Sequence, residues 1–302
     1  VKRRGIPIFF RHRAQKLLLA EGSVTGVECQ TPAGRKTFRA RSVVLATGGF
    51  GANLDMVTKY RPELKGFSTT NHPGAQGEGL ELATKLGAGF TDIEQIQIHP
   101  TVVKKDGHLM RSRGGILLNH DGNRFCNELL TRDVVSQHVL AQKGGEAFLV
   151  YDQSIFDSNK LSRGYYEHGY SVKGDTLEDL AKKLDMPVEN VKKTFEAYWE
   201  AHKTGVDKAF GRPEMVIALD KGPWYAAKIT PGIHHTMGGV TIDPETHVLT
   251  KDGKVIQGLF AAGEVTGGVH GGNRIGGNAV TDIVTFGRIA GTNAAAYADT
   301  VK

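Results

Sequence analysis

The stretch AGEVTGGVHGGNRIGGNA, Ala262 to Ala279, and the shorter HHTMGG, His234 to Gly239, are where this chain could do chemistry. The longer one carries a single carboxylate (Glu264), a single guanidinium (Arg274) and a glycine pair (Gly276, Gly277) just ahead of an apolar, helix-like run. Glycine lets backbone N–H groups approach a flat or anionic ligand, and a following helix N-terminus adds positive potential there. The arginine is a planar fork that matches a carboxylate. The paired histidines are hydrogen-bond donors that also titrate near neutral pH. A plain connector between strand and helix can hold as many glycines, so the reading depends on the rest of the chain.

The elements that must position these residues have their own signals. Gly5 to Arg11 reads as a strand. Ala14 to Leu19, Ser23 to Gln30 and Arg35 to Ala40 read as a β-meander with turns at Glu21-Gly22 and Pro32 to Gly34. Ser42 to Thr47 is a short apolar run of the buried parallel type, ending in Gly48-Gly49, where a cofactor could lie over the strand end. Asp55 to Arg61 and Gly77 to Leu86 are helix candidates. From about Ile98 to Thr230 helices become more frequent. Thr176 to Leu184 has a capping residue and acids in its first turn, and Pro187 to Lys203 carries Val188, Val191, Phe195, Tyr198 and Trp199 at helical spacing, a stripe read as core packing. Thereafter Gly239 to Ile242, His247 to Leu249 and Val255 to Gln257 suggest a small sheet, Gly258 to Gly263 a further strand, and Ala279 to Ala296 a helix.

With 302 residues the chain has room for about two domains and a sizeable core. Its 39 glycines are about twice the usual share and cluster, which suits a nucleotide-binding α/β protein. The formal charge of +6 is spread along the chain, with no polybasic tract or aromatic-basic ladder for nucleic acid. Two distant cysteines, Cys29 and Cys126, suggest neither a disulfide framework nor a metal site, and no apolar run is long enough to span a bilayer. The basic opening is interrupted by Arg11, His12, Arg13 and Gln15, so it does not read as a signal peptide. Compartment stays open, with the cytoplasm favoured over periplasm or cell surface.

Several segments together resemble the fumarate reductase/succinate dehydrogenase flavoproteins, especially the single-chain fumarate and urocanate reductases. They are VVLATGGFGAN (Val43 to Asn53), TTNHPGAQGEGL (Thr69 to Leu80), QIHPT (Gln97 to Thr101), RGGILLN (Arg113 to Asn119), GNRFCNELLTRD (Gly122 to Asp133), and the two stretches above, in the family's order. The resemblance implies an α/β fold: a Rossmann-like FAD-binding domain over residues 1–97 and 231–302, with an α+β capping domain inserted at 98–230. Such flavoproteins open with a strand, GxGxxG and a helix, followed by an acid for the ribose, and no such sequence stands before Val1. The expectation is therefore a portion of a longer protein that alone binds FAD poorly and is inactive.

The same resemblance implies roles. Hydride from flavin N5 and a proton from Arg132 would reduce a C=C bond beside a carboxylate, as in anaerobic respiration. Arg274 would fork that carboxylate, with His235 beside it and His234 behind or in its stead. His99 would take the substrate's other polar end, and Arg113 would relay protons. Ala46, Thr47 and Gly48 would lie near the adenosine, with Glu78 and Glu264 in cofactor loops. Gly276, Gly277, Asn278 and Ala279 would turn backbone N–H groups to the flavin's pyrimidine edge. The family's Thr-Glu pair before the RG is missing; Leu109 and Met110 fall near those places. Either another residue such as Arg111 replaces it and fumarate remains the substrate, or the far end of the substrate is less acidic. A dehydrogenase of succinate or ketosteroid type, and a non-catalytic flavin-binding fragment, compete with the reductase reading. The electron donor is not specified by these residues.

Overall fold

The computed structural model describes residues 2–111, 114–158 and 160–301. Contacts divide the chain into two compact units, Val1–Glu63 with His72–Ile96 and His235–Lys302, and Leu64–Asn71 with Gln97–His234.

The first unit opens with an antiparallel meander, β1 (Arg13–Ala20), β2 (Ser23–Thr31) and β3 (Gly34–Arg39), in the order β1-β2-β3. Leu17 faces Val27 across the first pair, and Leu17 and Val24 are buried. The strand expected at Gly5 to Arg11 does not form. Gly5 and Arg11 take positive φ, Pro7 has no N–H to give, and Ile6, Ile8 and Phe10 stay exposed. Apolar residues without a sheet to cover do not make a strand. Next come β4 (Val43–Leu45), α1 (Leu54–Tyr60), α2 (Glu78–Thr84) and β5 (Phe90–Thr91). Asn53 caps α1 by accepting the Met56 N–H at 3.0 Å.

The second unit is a helical layer around a sheet. Its elements are β6 (Ile96–Val102), β7 (Ile116–Leu118), α3 (Arg132–Leu140), β8 (Ala147–Asp152), α4 (Gln153–Ser158), α5 (Lys160–Glu167), β9 (Val172–Gly174), α6 (Leu177–Lys183), α7 (Val188–Thr204) and β10 (Trp224–Thr236). The strands run in the order β6-β10-β8-β7, with β9 also paired to β10. Thr176 caps α6 by accepting the Asp179 N–H at 3.1 Å. On α7 the aromatic stripe is core, as its spacing predicts: Val191, Phe195 and Tyr198 are buried among Leu180, Ile116, Leu118 and Val150. Truncating Phe195 to alanine would cost about 3–5 kcal/mol. The long strand β10 was not legible, because WYAAKITPGIHHT mixes alanine, lysine, proline and glycine, all poor strand formers. Pairing on both flanks overrides that local preference.

Back in the first unit, β11 (Gly239–Val240) pairs with β5, while β12 (His247–Leu249) pairs with β13 (Val255–Ala261). The small sheet expected from residues 239–257 is thus split between two partners. The two short runs expected at 255–257 and 258–263 are one strand, bent at Gly258, whose φ is +74°. β13 lies parallel to β4, giving the order β12-β13-β4, and the chain closes with α8 (Asn278–Thr300). Parallel pairing with helices between is the α/β arrangement that the sequence implies. Among the described residues no helix is long and apolar enough to cross a membrane.

Candidate functional site

One group of polar residues in the second unit lies along β6. Side chains two apart on a strand share a face, so Gln97, His99 and Thr101 point the same way. The Arg132 guanidinium, on the first residue of α3, donates to Gln97 Oε1 at 2.8 Å. Gln97 is buried, so its amide is a fixed acceptor. His99 Nδ1 lies 3.2 Å from the Thr101 hydroxyl, which in turn donates to the Met110 carbonyl. The neighbouring strand β10 brings His234 edge-on to His99, with ring centroids 5.1 Å apart. His234 Nδ1 is 2.8 Å from Thr70 Oγ1, and its carbonyl accepts from Asn71. Met110 lies in the core of this unit, fully buried, and Leu109 beside it is only partly covered. Arg113 lies outside the described residues.

His235 follows His234 along β10, and consecutive strand residues face opposite ways. His235 belongs to the first unit's cluster. Its Nε2 is 3.8 Å from Glu264 Oε2, and its ring meets His270 edge-on at 5.4 Å. Glu264 Oε1 accepts from both the N–H and the hydroxyl of Thr236, at 3.0 and 3.2 Å. Burial pushes the Glu264 carboxyl up, and the two Thr236 hydrogen bonds and then the charge of Arg274 only partly offset it. Arg274 is buried, and burial pulls its guanidinium down against the opposing charges of Glu264 and Asp282. His270 Nε2 lies 3.2 Å from Asp282 Oδ2.

The cofactor residues implied by the resemblance also belong to the first unit. Gly276, Gly277 and Asn278 are exposed at the start of α8, with Ala279 half-buried. Ala46 and Thr47 are exposed after β4, and Gly48 is half-buried. Glu78, the first residue of α2, pairs with Arg13 at 2.6 Å. Sequence reasoning does not single out Gln97, Thr70, His270 or Asp282. The period of two along QIHPT would have placed Gln97 with His99, whereas the other three are joined to their partners only by the fold.

A family described as an FAD binding domain matches residues 1–280 of the chain. The chain belongs to this FAD-binding family. Among its relatives, a probable fumarate reductase of Shewanella frigidimarina is 45% identical over 303 residues, covering 98% of this chain and 52% of that protein. An NADH:acrylate oxidoreductase of Vibrio harveyi is 37% identical over 298 residues, covering 93% of this chain and 30% of its own. The open conformation of a flavocytochrome c3 fumarate reductase superimposes with a TM-score of 0.79 at 45% identity, covering 98% of this chain and 54% of that one. The chain thus spans about half the length of the fumarate reductases it matches.

The FAD-binding domain's residues fit such a cofactor. At Gly48, φ +73°, and at Gly277, φ +93°, nothing stands within 4 Å of where a Cβ would be. Both are backbone positions open to a flat ligand, one after a strand end and one at the head of a 23-residue helix.

Proposed function

We propose that this chain carries the machinery for FAD-dependent reduction of the C=C bond of a short α,β-unsaturated carboxylic acid, fumarate or a related enoate. Bound FAD would supply a hydride to one alkene carbon. Gly48 and the 276–279 segment would hold it, with Ala46, Thr47, Glu78 and Glu264 nearby. Arg132 would deliver the proton to the other carbon, so that hydride and proton together saturate the bond. A guanidinium is a poor acid in water. It can act as donor only when held in one geometry, and the buried Gln97 amide supplies that hold. Arg274 would grip the substrate carboxylate as a fork. His99 and His234 would donate hydrogen bonds to the substrate's polar groups, while His235 would steady Glu264. Positive groups around the carboxylate draw electron density from the alkene and prepare it for hydride attack.

The observation that carries this reading is the Arg132–Gln97 bond on the same strand face as the His99–His234 pair. A guanidinium and two imidazoles brought to one polar edge suit a small anion. The names of two relatives, a probable fumarate reductase and an NADH:acrylate oxidoreductase, point the same way. The test is anaerobic. The flavin of the whole protein is reduced and its reoxidation by fumarate, urocanate, acrylate and cinnamate is followed in parallel. Reoxidation by one acid, lowered by about 10²–10⁴-fold in Arg132→Ala with flavin retained, is the expected result. Equal rates in wild type and Arg132→Ala would remove Arg132 from the reaction.

A further inference from the structure

Thr69, Thr70 and Asn71, between α1 and α2, have no part in the chemistry described above, yet they are tied to β10 where it carries His234. Thr69 bridges Ile233 in parallel register. The Ile233 N–H donates to the Ser68 carbonyl and the Thr70 N–H to the Ile233 carbonyl, both at 2.8 Å. Two glycines make room for this approach. A Cβ on Gly232 would stand 3.1 Å from the Ser68 carbonyl oxygen, and one on Gly107, at φ +74°, would collide with that of Thr69. The Asn71 amide completes the tie, donating to the His234 carbonyl at 3.3 Å and to the Thr69 hydroxyl at 3.0 Å.

On this frame the Thr70 hydroxyl lies 2.8 Å from His234 Nδ1 and 3.2 Å from the Ile233 carbonyl oxygen. A hydroxyl has one proton and rotates to suit its neighbours. Turned to Nδ1, it donates to the ring. Turned to the Ile233 carbonyl, it offers a lone pair to an Nδ1–H. That carbonyl already accepts the Thr70 N–H, so it keeps a partner when the hydroxyl turns away. Nδ1 is therefore bonded whichever tautomer the ring takes, and a hydrogen bond from His234 to an acid runs through Nε2. The same bond fixes the plane of the ring, whose χ2 torsion is otherwise broad.

We propose that Thr70 is a positioning residue for His234: its hydroxyl holds Nδ1 and so presents Nε2 to the substrate's polar group. This rests on the reading that His234 donates a hydrogen bond to the substrate. Thr70 acts through the imidazole, so its loss weakens acid binding more than it slows the chemical step.

The test uses the flavin-loaded whole protein and compares Thr70→Val, Thr70→Ser, His234→Ala and the double variant Thr70→Val/His234→Ala. Fumarate and acrylate are the substrates, and succinate binding is measured separately by equilibrium dialysis. Thr70→Val keeps the shape and removes the hydroxyl. It is expected to raise KM and the succinate dissociation constant about tenfold, with kcat and flavin content within about threefold of wild type. Thr70→Ser keeps the hydroxyl and is expected to recover most of that loss. The double variant is expected to bind no worse than His234→Ala alone, because residues acting through one another are non-additive. If Thr70→Val does not fold, Thr70→Ala carries the same test. Unchanged KM and succinate binding in Thr70→Val beside a loss in His234→Ala would overturn the positioning role. So would a loss confined to kcat or flavin content, no recovery in Thr70→Ser, or effects of Thr70→Val and His234→Ala that simply add. If His234→Ala itself changes neither KM nor succinate binding, the failure lies with the reading of His234 as a substrate donor, and the positioning role falls with it.

Discussion

Replacing Glu128 by glutamine should be among the most damaging single-atom changes to the second unit. Its carboxylate is buried and accepts from Arg124 Nε and Nη2, both at 2.8 Å, from Arg212 Nη1 at 3.1 Å and from the Leu117 N–H at 3.2 Å. Arg124 Nη1 also binds Asp207 at 2.9 Å, so two arginines and two carboxylates balance in an enclosed space. Glutamine keeps the shape, turns one acceptor oxygen into a donor facing an arginine, and leaves one net positive charge buried. Removing one partner of such a network costs about 3–5 kcal/mol, because the other charge stays desolvated and uncompensated. At about 2–4 °C per kcal/mol for a unit of this size, Tm should fall by roughly 6–20 °C. Thermal and urea unfolding followed by circular dichroism would measure it. Asp179→Asn, which breaks an exposed pair with Lys183, is the control and should not shift Tm measurably. Adding Arg212→Gln to Glu128→Gln should recover part of the loss, since it restores neutrality. A loss below about 1 kcal/mol for Glu128→Gln, the range of exposed pairs, would refute the claim that this network is energetically buried.

The same network sets an acid limit. Burial alone would push Asp207 up, but the Arg124 guanidinium outweighs it and holds the carboxyl below its ordinary 3.8. A depressed folded pKa means the stabilisation is complete above that ordinary value and drains as pH falls through the folded one. Stability measured from pH 6 down to 2 should therefore decline below about pH 4 in wild type, and less steeply in Asp207→Asn; parallel curves would contradict the pairing. Cys126 is buried and its thiol is pushed up to about 12, mainly by burial, so a maleimide at pH 8 should label it only after unfolding. Labelling of the folded protein at the free-thiol rate would contradict that burial. Gln97→Leu removes the acceptor that holds Arg132, and a misplaced donor should cost about tenfold or more in kcat with flavin content unchanged. Unchanged turnover would show that Arg132 needs no such anchor.

Much of this was readable in advance where local rules and long-range contacts agree. The meander β1–β3 has turn residues at its corners, α6 and α7 carry caps and a helical stripe, and α8 follows its glycines. The α/β class and the FAD-binding family were legible because glycine-rich segments recur in a fixed order. The strand β10 was hidden, since its residues prefer other conformations and only its neighbours hold it extended. Gly5 to Arg11 failed in the opposite sense: an apolar run with nothing to cover. Within the site, His99 and Arg132 were visible by motif. The bond from Arg132 to Gln97 and the pairing of His270 with Asp282 join residues 35 and 12 positions apart, which no local pattern encodes.

The two adjacent histidines of β10 serve different clusters only because the strand alternates. That makes this segment sensitive to length in a way it is not sensitive to letters. A substitution at Ala226 or Ile229 disturbs packing locally, but inserting or deleting one residue between Tyr225 and Ile233 would exchange the histidines, handing His234's place to its neighbour. Descendants of this sequence should therefore drift in composition along β10 while keeping its residue count, and lengthen or shorten instead at exposed turns such as Lys104 to Asp106.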